Sequence, residues 1–417
     1  MDDVQAYFRA FGERVELAYR KTNYAEDDFA AIARDALEAS PVHEAVDPIA
    51  VLRWAAAAPA ALPTQLTTNL RFGQPPVTVY WTPRFVIDVY YWFDATTEIH
   101  EHAFSGAFQV LGGASLHAVR RFACERKVNG RFLMGTLETK LSELLEVGAT
   151  RVITPGNTFA HSLFHLERPS ATVVVRTREH PGVGPQFMYL PPHVAVDGFY
   201  RPHLRELQRD ALASLAQVDQ ARYWEAFDSA VDDATLEEAF HLLNDHARRN
   251  DDTDLVSAPF VSALDRVATR HGARVAEQFQ RCFRWTRREV HLKGGRALAR
   301  NADERFVLGV LLNAHDRSQV LEYVRSRHPE RDPIDAFMAT FERIAASEDG
   351  AESALGFSIG ADAVKLIRLL LEGVTPADLP ARFLRQGLSP ATRKHEAQIR
   401  EFYETLKGTP ALQVLAT

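Results

Sequence analysis

The sequence predicts an α+β protein: a β-rich middle, closed into an all-β barrel or folded as a double sheet, between helical segments. Three observations predict it. Apolar residues recur at helical spacing through about the first 65 positions. From about 75 to 180 the chain becomes a series of short β-branched and aromatic runs separated by turn signals. After about 200 every apolar segment returns to the helical period. The expected domains are a helical N-terminal segment (1–70), a β-barrel carrying the functional site (71–195) and an all-α C-terminal domain (200–417).

In the first segment Tyr7, Phe8, Phe11, Val15, Leu17 and Ala18 share a helix face, and Phe29, Ile32 and Leu37 continue the pattern. Asp47-Pro48 reads as an N-cap followed by proline in the first turn. Strands are expected at VTVYW (77–81), FVIDVYYW (85–92), EIHEH (98–102), AFQVL (107–111), LHAVRRFACE (116–125), RFLMGTLET (131–139), TRVIT (150–154), HSLFHLE (161–167) and ATVVVRT (171–177). Asn129-Gly130 between two of them signals a type I′ hairpin. Segments such as PHLRELQRDALASLAQV, DATLEEAFHLLNDHARRN and DPIDAFMATFERIAAS come next as helices, several opened by Asp caps.

Composition narrows the class. The chain has 417 residues, 46% of them hydrophobic and 25% charged, which suits a globular protein with a sizeable core. A net charge of −7 gives no reason to expect nucleic acid or an anionic membrane surface as partner. The longest apolar run, WAAAAPAAL (54–62), is too short to span a bilayer. Cys124 and Cys282 are the two cysteines, too few for a disulfide framework. The start, MDDVQAYFRAFGERVELAYRK, lacks the basic and apolar regions of a signal peptide, so a cytoplasmic location is expected.

Five of the 16 histidines fall between His100 and His165. His100 and His102, one residue apart, share a face of an extended segment, as do His161 and His165. Imidazoles on two inward-facing strands can converge on one Fe, Zn, Cu, Ni or Mn ion.

The two histidine segments resemble the cupins. IHEHAFSGAFQVLGG matches the first cupin motif through His100, His102 and the glycines Gly112 and Gly113. GATRVITPGNTFAH matches the second through Gly148, the Pro155-Gly156 turn and His161. The resemblance covers roughly residues 75–180 and implies a double-stranded β-helix barrel. The glutamate ligand of the first motif is missing, the nearest polar residue being Gln109. The pattern is similar to the three-histidine branch that includes the iron-dependent thiol dioxygenases. Gly106 and Ala107 stand where some of its members carry a cysteine cross-linked to tyrosine. His100, His102 and His161 are the metal ligands this resemblance implies. His165, followed by LERPS, resembles the thiol dioxygenase context and is then a fourth neighbour, as a ligand or an acid–base residue.

The resemblance implies a mononuclear non-haem Fe(II) oxygenase that inserts dioxygen into, or oxidatively cleaves, a small amino acid, thiol or natural-product intermediate without 2-oxoglutarate. An anionic substrate needs a cation inside the barrel, and Arg84, Arg120, Arg131 and Arg176 all lie on or beside expected strands. Tyr90 and Tyr91 alternate, so one of them faces inward. The catalytic candidates are His165, Tyr90 and Arg84. A cupin isomerase, lyase or hydrolase using Zn, Mn or Ni is the rival enzyme reading, and a non-catalytic ligand-sensing cupin the rival outside enzymes. The C-terminal helices read as a lid, a homodimerisation element or a recogniser of a larger substrate.

Overall fold

The computed structural model describes residues 2–66, 72–94, 96–250, 254–345, 353–355, 359–385 and 393–416. The expected boundary near residue 70 and the end of the DPIDAFMATFERIAAS segment lie outside the described residues. The fold is mixed α+β, with its strands in two antiparallel sheets. The strands are β1 (Pro76–Trp81), β2 (Phe85–Trp92), β3 (Gly106–Gly112), β4 (Ser115–Lys127), β5 (Phe132–Leu145), β6 (Thr150–Ile153), β7 (Ala160–His165), β8 (Ser170–Thr177), β9 (Phe187–Leu190) and β10 (Val194–Asp197). The chain divides into two compact units, one of Met1–Arg120, Thr139–Gly184 and Leu292–Thr417, the other of Arg121–Glu138 and Pro185–His291.

In the first unit, helices Asp2–Lys21, Glu26–Ala39 and Pro48–Ala57 form where the periodicity predicts them. The Asp47 carboxylate accepts from the Ile49 N–H at 2.9 Å, with Pro48 in the first turn. Their apolar stripes bury Phe8, Phe11, Phe29, Leu37 and Trp54 against one face of the sheet ordered β1-β2-β8-β3-β6. That face carries Val77, Ile87, Val89, Tyr91, Ala107, Val173 and Val175, and the Tyr91 hydroxyl donates to the Pro48 carbonyl at 2.6 Å. Because side chains alternate, Tyr90, Phe108, Val110 and Val174 point to the opposite face, where they pack with Leu145, Ile153 and Leu163.

Strand β7 closes this second layer. On one edge it pairs with β4, placing Val119 opposite His161 and His117 opposite Leu163. On the other it meets the 97–102 segment, whose expected strand at 98–102 holds a single bridge, His100 to His161. The ladder stops there because the next carbonyl on that side, that of His102, accepts instead from the Gly156 N–H at 2.8 Å. Behind β7 runs helix Ala302–Asn313. Its Gly309 sits so close that a Cβ would lie 2.7 Å from the Phe164 ring and 2.8 Å from Leu116. The Arg120 guanidinium ties Ser162 Oγ (2.9 Å) to Asn313 Oδ1 (3.1 Å). Arg296, fully buried, donates to the His165 carbonyl (2.8 Å) and the Phe93 carbonyl (2.9 Å), and Arg305 donates to that of Leu166.

In the second unit β10 pairs with the start of β5 (Val194 with Met134, Val196 with Phe132) and with β9. Both short strands lie beyond the last expected one; at four residues each they leave too little alternation to read. Helices His203–Val218, Gln220–Asp233, Leu236–Arg249 and Ala258–His271, with the 273–291 part of helix Ala273–Leu298, bury Phe227, Phe240, Phe260, Phe279 and Phe283. Thr235 and Glu238 form a capping box at the third of these helices. The expected type I′ turn does not form. Neither Asn129 nor Gly130 has the positive φ that turn requires. The Asn129 side-chain oxygen instead accepts from the Arg131 and Phe132 N–H groups at 2.8 and 2.9 Å, an Asx-type closure that makes a wider loop. Among the described residues no helix is long and apolar enough to cross a membrane.

Arg296→Leu would leave buried carbonyls at 93 and 165 without their donor. Urea denaturation should show a loss of about 3 kcal/mol relative to wild type.

Candidate metal centre

The bridge between the 97–102 segment and β7 sets the site. His100 N–H donates to the His161 carbonyl at 3.0 Å and His161 N–H returns a bond to the His100 carbonyl at 2.8 Å. Residues so paired lie side by side, and His102, two residues on, returns to the same side. The three rings stand 4.6 Å (100–102), 4.9 Å (100–161) and 5.0 Å (102–161) apart, all buried. One nitrogen from each lies within 4.8 Å of the others, so the group could hold a metal ion.

The outward hydrogen bonds fix which nitrogens converge. His100 Nδ1 donates to the Glu98 carbonyl at 2.8 Å, leaving Nε2 for the centre. His161 Nδ1 faces His117 Nε2 at 3.0 Å, and its Nε2 faces His102 Nε2 at 2.9 Å. Two imidazole lone pairs cannot meet at that distance without a proton or a cation between them. Ligands at right angles on a metal about 2.1 Å away stand about 3.0 Å apart. The residues therefore fit a divalent transition metal.

Aromatic side chains line the surroundings. Phe104 lies 4.5 Å from His102, Phe159 4.7 Å from His161, and Phe108 6.0 Å from His161. Burial in this apolar setting holds the imidazoles neutral. It brings His100 down to about 4 and pushes His102 and His161 well below the usual histidine range, the neighbouring histidines adding to the effect. Neutral imidazole is the ligating form.

Among the described residues no carboxylate joins the group. Gln109 points to the helical face, where its Oε1 accepts from the Val42 N–H (2.9 Å) and its Nε2 donates to the Leu37 carbonyl (3.2 Å). At Gly106 a Cβ would overlap the Val175 carbonyl oxygen, so no acidic side chain could stand there.

The catalytic candidates separate. His165 lies on the same face of β7 as His161, but four residues of strand put about 13 Å between them. Its Nδ1 bonds Ser115 Oγ at 2.9 Å and its ring stacks on Trp92 at 4.8 Å. Arg84 is exposed, with its guanidinium 3.8 Å from the Tyr24 ring centroid. Tyr90 faces the same interior as the histidines. Its hydroxyl donates to Asp88 Oδ2 at 3.1 Å, and burial raises its pKa. Asp88 is paired at 3.0 Å with Arg176, whose guanidinium lies 4.8 Å from the centroid of Phe104, the ring beside His102. Of the four arginines named from the sequence, Arg176 therefore stands on the histidine side, whereas Arg84 faces Tyr24 and Arg120 faces Ser162 and Asn313.

Two neighbours carry no site signal in the sequence, His117 and Glu143. His117 lies within an expected strand but acquires meaning only from β4 pairing with β7. Glu143 falls beyond the expected end of its strand at 139, whereas β5 runs on to Leu145. In the second unit a cleft is lined by Arg201, Arg205, Arg209, Glu237, Glu238 and His241. Its Arg205 is already paired with Glu238 at 2.6 Å and Arg209 with Asp245.

His100 titrates at about 4 in the folded chain against 6.5 for the unperturbed group. As pH falls the unfolded chain takes up this proton first, so stability is lost from about pH 6.5 down to about 4 and is unaffected above. In metal-free protein, His100→Gln should lower the slope of stability against pH by about 1.4 kcal/mol per pH unit within that window. Urea denaturation at several pH values measures it.

Compared with known families and curated proteins, the chain matches no family model and no curated protein.

Proposed function

We propose that His100, His102 and His161 hold one divalent metal, iron(II) by preference, in a cupin-type barrel, and that the chain is a mononuclear non-haem oxygenase acting on a small organic substrate with dioxygen. The observation that carries the reading is the convergence of three buried, neutral imidazoles, two of them with Nε2 atoms 2.9 Å apart, in a group without a carboxylate. When bound, the metal supplies a Lewis-acidic centre with coordination positions left for substrate and dioxygen.

The chain's own residues supply the rest. Phe104, Phe108 and Phe159 exclude water from the imidazoles, which strengthens every polar interaction there. Tyr90 keeps its phenolic proton at neutral pH and holds it on Asp88 Oδ2, from which it can turn to a bound acceptor. Arg176, held by Asp88, offers a guanidinium to the polar end of a substrate lying over Phe104. The missing carboxylate disfavours 2-oxoglutarate chemistry, usually associated with the carboxylate-bearing triad. An all-histidine donor set is also one that zinc accepts in hydrolytic sites, which keeps a zinc hydrolase or lyase as the second reading.

Metal analysis of protein made without a histidine tag tests this. About one iron per chain is expected, falling at least tenfold in His161→Ala, with oxygen uptake that requires added Fe(II). One zinc per chain and no oxygen uptake would favour the second reading. No stoichiometric metal after anaerobic reconstitution would overturn both.

A further inference from the structure

His161 is backed by a chain of side-chain hydrogen bonds that, among the described residues, the other two histidines lack. His161 Nδ1 meets His117 Nε2 at 3.0 Å, and His117 Nδ1 meets Glu143 Oε1 at 3.0 Å. Arg151 then grips Glu143 through Nε at 2.8 Å and through a second, bidentate contact. His117 is fully buried, whereas Glu143 and Arg151 are partly exposed.

The protons along this chain are dictated from one end. Partial burial pushes the Glu143 carboxyl up, but the bonds from Arg151 and His117 outweigh it and bring it down to about 2. An ionised carboxylate only accepts, so a neutral His117 carries its proton on Nδ1 and a lone pair on Nε2. His161 Nδ1, facing that lone pair, must then be the N–H. What remains on His161 is an Nε2 lone pair aimed at the centre.

We infer that His117 and Glu143 are positioning residues for the metal site, fixing His161 as its Nδ1–H tautomer and setting its ring so that Nε2 faces the metal, with Arg151 holding the carboxylate. The inference rests on the reading that the three histidines bind a metal. A ligating imidazole bonded through its other nitrogen to a carboxylate-backed acceptor is oriented and made more basic. Among the described residues, His100 has a backbone carbonyl in that place, and the buried Nδ1 of His102 has no hydrogen-bond partner. His161 is thus the ligand whose strength depends on side chains.

Two measurements test it. In metal-free, ¹⁵N-histidine-labelled protein, two-bond ¹H–¹⁵N spectra should report His161 as Nδ1–H, and His117→Leu should move it toward the Nε2–H form. Anaerobic titration with Co(II), monitored by its visible absorption, should show affinity about 10–100-fold weaker in His117→Leu and in Glu143→Gln. His117→Gln, whose side-chain oxygen can accept from His161 Nδ1–H, should recover part of the loss. Circular dichroism checks folding, and Glu143→Gln, the less buried change, carries the test if His117→Leu does not fold. Unchanged Co(II) affinity and spectrum in the folded variants would overturn the inference and leave the metal site standing. A wild type that binds no Co(II) while His161 still reads as Nδ1–H would overturn the metal reading instead.

Discussion

Two backbone hydrogen bonds between His100 and His161 join a loop to the strand β7, and everything at the candidate centre is registered to them. Because β7 also pairs with β4 along its other edge, three chain segments far apart in sequence present imidazoles to one small volume. The side-chain period of two then decides which residues share that volume and which are turned away. Phe108 and Tyr90 face it. Gln109 and Tyr91 are turned toward the N-terminal helices, where they anchor backbone groups of those helices.

The second organising fact is where charge is kept. The centre itself is neutral, because burial disfavours protonated imidazole among phenylalanine rings. Charged groups stand one layer out, each compensated. Asp88 is paired with Arg176, Glu143 with Arg151, and buried Arg296 is satisfied by carbonyls at the end of β7. Since removing one member of a buried pair is far costlier than never having it, the Asp88–Arg176 pair in particular holds the scaffold around the centre in one arrangement.

Much of this is legible in the sequence, for local reasons. The His-x-His spacing and the second histidine segment after Pro155-Gly156 mark His100, His102 and His161, and the alternating β runs mark most strands. What is not legible depends on pairing partners. His117 is an ordinary strand histidine until β4 is known to lie beside β7. Glu143 becomes visible only because β5 is longer than its apolar pattern. His165 shares a face with His161, but a face says nothing of distance along it, and an extended chain carries the two apart. Arg84 and Arg176 are equivalent as text. Their partners separate them: Arg84 lies on the outer surface against Tyr24, between the first two helices, and Arg176 in the interior against Asp88 of β2.

The close approach at Gly309 has a consequence for how the centre behaves as a whole. The backbone of helix Ala302–Asn313 is the rear support of β7, resting at Gly309 on the rings and methyls of Phe164, three residues beyond His161, and Leu116. Such close packing leaves little room, so a shift of the strand is felt by the helix. The seating of the helix and the position of His161 are thereby coupled. Whatever loosens the helix loosens the strand that carries His161, and whatever steadies that strand steadies the helix at its back.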